Sequence, residues 1–181
     1  MRSINNALIY SFIFIICAMY GCGYTTATVP RGGIKTIHID IFKNSIDITK
    51  EVSSKDKYEV YRPDLEVDIR DAIVERIFLD GHLRVSRGEA TDAVLEGEVV
   101  EYRKDPLRYQ DENVTEYRIS LVCNFALRRS GDPEVLLEET NLTGDSTYFT
   151  TGTLSKTEDE ALKDATKDLA RRIVNRIVEN W

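Results

Sequence analysis

Histidine and cysteine, the residues most often used in metal sites and in nucleophilic catalysis, are scarce in this chain of 181 residues. It has two histidines and three cysteines, and none of them falls into a Cys-x-x-Cys or His-Glu-x-x-His pattern. The sequence also lacks a Gly-x-Ser-x-Gly nucleophile elbow and a glycine-rich phosphate loop. It therefore predicts a protein with no metal, no cofactor and no enzymatic activity.

An excess of basic residues is missing as well. Lysine and arginine number 24 against 31 aspartates and glutamates, for a net charge of −7. A nucleic-acid-binding domain needs a basic face to neutralise phosphates. The balance argues against nucleic acid as a partner, although it leaves room for a local basic patch.

The sequence has one long hydrophobic run, from Ala7 to Tyr20. Only Ser11 interrupts it, and Arg2 precedes it. A basic start followed by about 7–15 apolar residues is typical of a secretory signal, whereas a membrane-spanning helix needs roughly 18 or more. The segment is therefore predicted to be a cleaved signal. Its removal takes away one arginine and no acid, which leaves the mature chain at −8.

Cys22 follows this run within the stretch "MYGCGY". Met19 and Gly21 resemble the −3 and −1 positions of a bacterial lipobox, in which the cysteine is acylated and becomes the first mature residue; Tyr20 is larger than the usual residue. We predict a lipoprotein signal peptide at 1–21, an acylated tether at 22–33 and a single domain at 34–181. Because Gly23 rather than Asp follows Cys22, the resemblance further implies the outer membrane of a Gram-negative envelope.

Periodicity predicts the elements of the domain. Residues 34–42, "IKTIHIDIF", alternate as a half-buried strand with Ile37, Ile39 and Ile41 on one face. Residues 43–60 are polar and are interpreted as a loop or a frayed helix start. A helix is predicted from Pro63 with an Asp64 cap to Gly81, and its apolar stripe repeats every four residues: Leu65, Ile69, Ile73 and Ile77.

Three more strands are predicted at 92–102, 116–128 and 134–149, joined by connections at 103–113 and 129–134. The first shows a break of phase at Val100 and Tyr102, as a β-bulge would produce. The second places Cys123 on its apolar face, where a buried side chain is favoured over a nucleophile that would need His38 or His82 as its base.

A final helix is predicted to open with a Ser155–Glu158 capping box, and its apolar stripe comprises Leu162, Ala165, Leu169, Ile173, Ile177 and Trp181. The order strand, helix, three strands, helix predicts an α+β fold. It is a two-layer sandwich, with two amphipathic helices packed on one face of a four-stranded mixed sheet.

The order of several motifs resembles the LptE family of lipopolysaccharide-assembly lipoproteins. These motifs are "CGY" at the acylation site, "IDIFKNS", "ATDAVLEGEVVEY" and the closing "RRIVNRIVENW". The resemblance implies an outer-membrane lipoprotein that plugs the β-barrel of LptD, helps it to assemble and assists lipopolysaccharide transport. It also implies two helices on a four-stranded sheet. An outer-membrane lipoprotein that acts as a pilotin or a small-ligand-binding module for another envelope system is the alternative.

Lipopolysaccharide carries phosphates, so an acidic protein would need a local basic cluster to bind it. Two candidates stand in the predicted connections: Arg103, Lys104 and Arg108 beside Leu107 and Tyr109, and the pair Arg128 and Arg129. An antiparallel meander places the two connections at opposite ends of the sheet, so one cluster should matter much more than the other. A solvated hairpin without a lipid-binding role is the alternative interpretation, and the sequence favours it.

Overall fold

The structure, a computed structural model, describes residues 33–46, 63–86 and 91–179. The predictions for the signal peptide, for Cys22, for most of the 43–60 loop and for Trp181 lie outside these residues. The elements are β1 (Thr36–Ile39), β2 (Lys43–Asn44), α1 (Leu65–Asp80), β3 (Arg84–Val85), β4 (Ala93–Gln110), β5 (Asn113–Arg129), β6 (Val135–Phe149) and α2 (Glu158–Glu179).

The described strands form one mixed sheet in the order β3-β1-β4-β5-β6, and β2 also pairs with β4. The β1–β3, β1–β4 and β2–β4 pairs are parallel, and the long β4–β5 and β5–β6 pairs are antiparallel. The predicted α+β class is confirmed. The strand number is wrong, because the structure adds two strands of two residues each, too short for an alternating pattern to reveal.

The core lies between the sheet and the two helices. The predicted stripe of α1 is buried, and so are Leu169, Ile173 and Ile177 of α2. The apolar faces of β4 and β5 lie beneath them, and Leu95, Leu121 and Cys123 are fully buried. Both helices therefore cover one face of the sheet, and within the described ranges no helix covers the second face, which we call the open face.

The β1 prediction is half right. Ile37 and Ile39 are buried, but Ile41 is 58% exposed and Phe42 takes the next core position at 1% exposure. Regular strand geometry ends at Ile39, and the Asp40 N–H donates to the carbonyl of Leu95 at 3.0 Å. The change of direction turns Phe42 inward, so strict alternation fails there.

The predicted ends of α1 are confirmed, whereas the predicted capping box of α2 is wrong. Asp64 is the N-cap residue of α1, but it has φ of 63° and its side chain makes no capping hydrogen bond. Gly81 ends α1 in the left-handed conformation with φ of 77°. The capping box of α2 is Thr157 and Glu160: the Glu160 N–H donates to Thr157 Oγ1 at 3.2 Å, and the Thr157 N–H donates to Glu160 Oε2 at 2.8 Å.

Candidate functional site

A long hairpin formed by β4 and β5 holds the first predicted basic cluster. The sequence predicted a connection over 103–113, and this is wrong: β4 continues to Gln110, and only Asp111 and Glu112 separate it from β5. Both turn residues have positive φ, 47° and 69°, as a two-residue hairpin turn of type I′ requires. Arg103, Lys104 and Arg108 therefore lie on a strand, where neighbouring side chains point to opposite faces.

A β-bulge sets which of these side chains face the helices. The register shifts between Val99 and Glu101, so the predicted phase break is confirmed. The shift turns Tyr102 into the core, where it is fully buried. Lys104, two residues further along, lies on the same face as Tyr102.

Lys104 and Tyr102 converge on the first residue of α2. The Tyr102 hydroxyl donates to Glu158 Oε1 at 3.0 Å, and Lys104 Nζ donates to Glu158 Oε2 at 2.6 Å. The same ammonium lies 4.4 Å from the ring centre of Tyr117, which stacks on Tyr148. Partial burial opposes the charged form of Lys104, but the hydrogen bond to Glu158 and the charge of Glu158 outweigh this effect. The pKa of Lys104 is therefore raised. Lys104 thus ties the hairpin to α2.

Arg103 and Arg108 lie on the open face instead. Arg108 is opposite Glu116, with Nε and Oε2 3.5 Å apart, and its guanidinium lies 5.8 Å from the ring centre of Phe149. Its side chain is 66% exposed. Arg103 Nε lies 3.6 Å from Glu101 Oε1, and within the described parts of the chain this buried nitrogen has no hydrogen-bond acceptor. The predicted cluster is thus divided between the two faces.

Arg128 and Arg129, the second candidate pair, lie at the other end of the same strands. Arg128 Nε is 3.2 Å from Glu96 Oε2, and Arg129 Nε is 3.2 Å from Glu134 Oε2. Arg129 is opposite Ala93, the first residue of β4. We call this the tether end of the sheet and the Asp111–Glu112 turn the hairpin end. At about 3.3 Å per residue, β4 separates them by roughly 50 Å.

The contact between Glu158 and the hairpin is the feature that the sequence did not reveal. Glu158 was assigned to a capping box, a role that belongs to Glu160. Lys104 and Glu158 are 54 residues apart along the chain. The signal in the sequence is the spacing: Lys104 lies two residues after Tyr102, so the two side chains share a face if the strand continues past Tyr102.

The free thiol of Cys123 lies in the core and not in a reactive site. Cys123 is fully buried, and burial raises the pKa of its thiol to about 12, so the thiol stays protonated at neutral pH and is a poor nucleophile. The described ranges contain no group of three or more acidic, histidine or cysteine side chains that could hold a metal ion. In the same ranges, no helix combines the length and apolar character that crossing a membrane requires.

The fold and the site define a small two-layer α+β domain with one open, polar sheet face and a long hairpin that carries basic and aromatic side chains. The chain belongs to the LptE family: the family model, described as "Lipopolysaccharide-assembly", matches residues 34–177. The match covers almost the whole predicted domain and confirms the resemblance. Among curated proteins, no relative matches the chain.

The comparison with solved structures found several that are similar to this chain. The protein XCC0632 from Xanthomonas campestris is 14% identical with a TM-score of 0.50, over 81% of this chain and 85% of that one. The hypothetical protein CT253 from Chlamydia trachomatis is 13% identical, over 80% and 95% of the two chains, with a TM-score of 0.48. The rare lipoprotein B from Shewanella oneidensis is 17% identical, over 80% and 95%, with a TM-score of 0.45. At 14% identity, the similarity to XCC0632 supports the fold of this chain and carries no information on its function.

Proposed function

We propose that this protein is an outer-membrane lipoprotein, acylated at Cys22, that occupies the lumen of an LptD-type β-barrel and helps the barrel to assemble. In this position it assists the transport of lipopolysaccharide and carries out no catalysis of its own. The observation that carries the proposal is the match of the lipopolysaccharide-assembly family to residues 34–177. The lipobox-like sequence at Met19–Cys22 agrees with it.

The open face of the sheet supports a position inside a barrel. Arg118 and Thr147 pair across β5 and β6 on this face, and both are exposed. Glu96 and Glu138 add carboxylates to it. The interior of large outer-membrane barrels is polar, so a polar face suits it better than an apolar one would.

Within this function, we place lipopolysaccharide contact at the hairpin end, through Arg103 and Arg108 on the face of the sheet opposite the helices; Lys104 of the predicted cluster is bound to Glu158 on the other face. The described chain begins at the tether end, so an acyl chain on Cys22 keeps Arg128 and Arg129 near the inner leaflet. The hairpin end is roughly 50 Å further away. Arg108 is exposed beside the aromatic ring of Phe149, and Leu107 and Tyr109 offer apolar surface for acyl chains.

Isolation of the protein from native membranes tests the barrel partner. Mature protein is captured from outer membranes in mild detergent, and the retained proteins are identified by mass spectrometry. We expect an LptD-type barrel in stoichiometric amount. A photo-crosslinker at Thr147, on the open face, should react with the same barrel. Retention of a different secretion channel would contradict the proposal and support the pilotin alternative.

A matched pair of double variants tests the lipopolysaccharide site. Arg103→Ser with Arg108→Ser removes two charges at the hairpin end and leaves the Lys104–Glu158 contact intact. Arg128→Ser with Arg129→Ser removes two charges at the tether end. We expect the first variant alone to lose the salt-sensitive part of lipopolysaccharide binding, because exposed charges are screened by salt. Equal binding by the parent and both variants would remove the site, and loss only in the second would move it to the tether end.

A further inference from the structure

The last turn of α1 exposes two adjacent apolar side chains. Phe78 is 84% exposed and Leu79 is 70% exposed, whereas Ile77 beside them is 1% exposed. The buried stripe of α1 faces the sheet, so this pair projects away from it. A single exposed apolar residue is ordinary on a protein surface, but two large adjacent ones at a helix end call for a partner.

The pair lies close to the point where the described chain begins. The Arg84 N–H donates to the carbonyl of Lys35 at 2.9 Å, and Thr36 pairs with Arg84. Leu79 precedes Arg84 by five residues, so their Cα atoms are at most about 19 Å apart. Phe78 and Leu79 therefore belong to the tether end of the sheet.

The length of the tether limits how far the tether end of the sheet can lie from the membrane. Residues 22–33 are twelve in number, and a chain of that length spans at most about 40 Å. A lipid attached to Cys22 therefore keeps Phe78 and Leu79 within reach of the bilayer surface, and the hairpin turn lies roughly 50 Å further along the sheet.

Exposed cations lie at the same end of the sheet as the pair. Lys35 and Arg84 are both exposed there and offer cations to phosphates. Two carboxylates lie at this end as well: Asp80, whose Oδ2 is 2.7 Å from His82 Nδ1, and Asp92, whose Oδ2 accepts from the Lys35 N–H at 2.8 Å. Interfacial helices likewise combine apolar side chains with cations at a lipid surface.

We propose that Phe78 and Leu79 insert into the phospholipid surface beside the acyl anchor and form a second membrane contact that orients the domain. This inference rests on the proposed acylation of Cys22, which sets the distance to the membrane, and it places the tether end of the domain outside the barrel lumen, on the periplasmic side. A second contact adds buried apolar surface to that of the lipid anchor and so strengthens the attachment. It also restricts rotation about the tether, so the hairpin is held pointing away from the leaflet.

Nitroxide labels on the full chain in native outer-membrane vesicles test the contact. Phe78→Cys and Leu79→Cys are compared with Leu154→Cys, a leucine that is 76% exposed near the hairpin end. Parent protein treated identically supplies the background. The measured quantity is the ratio of collision rates with oxygen, which concentrates in the bilayer, and with a water-soluble nickel chelate. We expect this ratio to be several-fold higher at positions 78 and 79 than at 154, with unchanged melting temperatures.

Each outcome bears on a separate claim. Equal ratios at all three positions, in protein whose N-terminal peptide is acylated by mass spectrometry, would overturn the membrane contact and leave the acylation standing. Labels at 78 and 79 that are shielded from both reagents would show a protein partner on the pair, which also overturns it. A high ratio at 78 and 79 in protein that is not acylated would support the contact and contradict the acylation.

Discussion

The ring of Phe42 lies directly against the backbone of Gly97 on β4. A Cβ atom added at Gly97 would stand 2.3 Å from Phe42 Cε1, so the glycine is needed for this close approach. Ile41, the residue that alternation had placed in the core, is exposed instead. The core position that alternation assigned to Ile41 is therefore filled by Phe42.

We expect Phe42→Ala to lower the free energy of unfolding by about 3–5 kcal/mol, because it leaves a cavity in the core. Ile41→Ala should change it by less than about 1 kcal/mol, as surface substitutions usually do. Urea unfolding of both variants measures the difference. A larger effect at Ile41 than at Phe42 would contradict the burial of Phe42 and support the alternating strand that the sequence predicted.

Asp168 is the residue whose protonation should matter most to the attachment of α2. Its Oδ2 accepts from the Asp145 N–H at 3.1 Å and from Arg172 Nε at 2.7 Å, and Oδ1 accepts from Arg171. Partial burial opposes ionisation, but the hydrogen bonds from Arg171, Asp145 and Arg172 outweigh it and lower the pKa of Asp168. The charged form is thus favoured in the folded state.

Because the pKa of Asp168 is lower in the folded state, its stabilisation is present above the usual carboxyl pKa of about 4. It is lost as the pH falls through the lowered value. We expect Asp168→Asn to destabilise the protein by about 1.5–3 kcal/mol at pH 7, the range for hydrogen bonds to a charged group, and by less at pH 3. Unfolding at the two pH values measures this. Glu75→Gln, an exposed carboxylate on α1, is the control, and a loss that is equal at both pH values would contradict the assignment.

At the scale of elements, the packing of α2 on β6 depends on a glycine. A Cβ atom at Gly144 would lie 2.5 Å from the backbone nitrogen of Leu169 and 2.6 Å from its Cα. Backbone atoms cannot move aside as a side-chain tip can, so the helix would have to lift from the sheet. The approach is closest near the Asp168–Asp145 contact, which holds the two elements in the same register.

We expect Gly144→Ala to destabilise the protein by about 1–3 kcal/mol through overpacking. Thr143→Ala, on the opposite face of the same strand, should cost less than about 1 kcal/mol. Thermal unfolding of both variants checks the prediction. If Gly144→Ala melts at the parent temperature, the close approach of α2 to β6 is wrong.

For the whole molecule, the attachment to the membrane should be separable from folding. We expect Cys22→Ala to abolish incorporation of radiolabelled palmitate and to leave the melting temperature of the domain unchanged, because the described core begins at Ile34. Cys123→Ala is the control: its thiol is buried, so palmitate incorporation should persist. Unchanged labelling of Cys22→Ala would contradict the lipoprotein assignment.

The sequence by itself determined the two helical stripes, the core faces of β4 and β5, the stop at Gly81 and the placement of the two basic clusters at opposite ends of the sheet. These follow from periodicity, since a side chain that recurs every two or every three to four residues returns to the same face of its element. Isolated glycines and the turn residues around them mark where such elements end.

Only the tertiary structure decided which distant residues meet. Lys104 contacts Glu158 because a bulge at Val99–Glu101 shifts the phase of β4 and because α2 begins beside that strand. Phe42 replaces Ile41 because the chain leaves strand geometry at Asp40. Periodicity reports the face on which a side chain lies, but it carries no information on the register between strands or the position of a helix along them, and contacts between residues tens of positions apart depend on both.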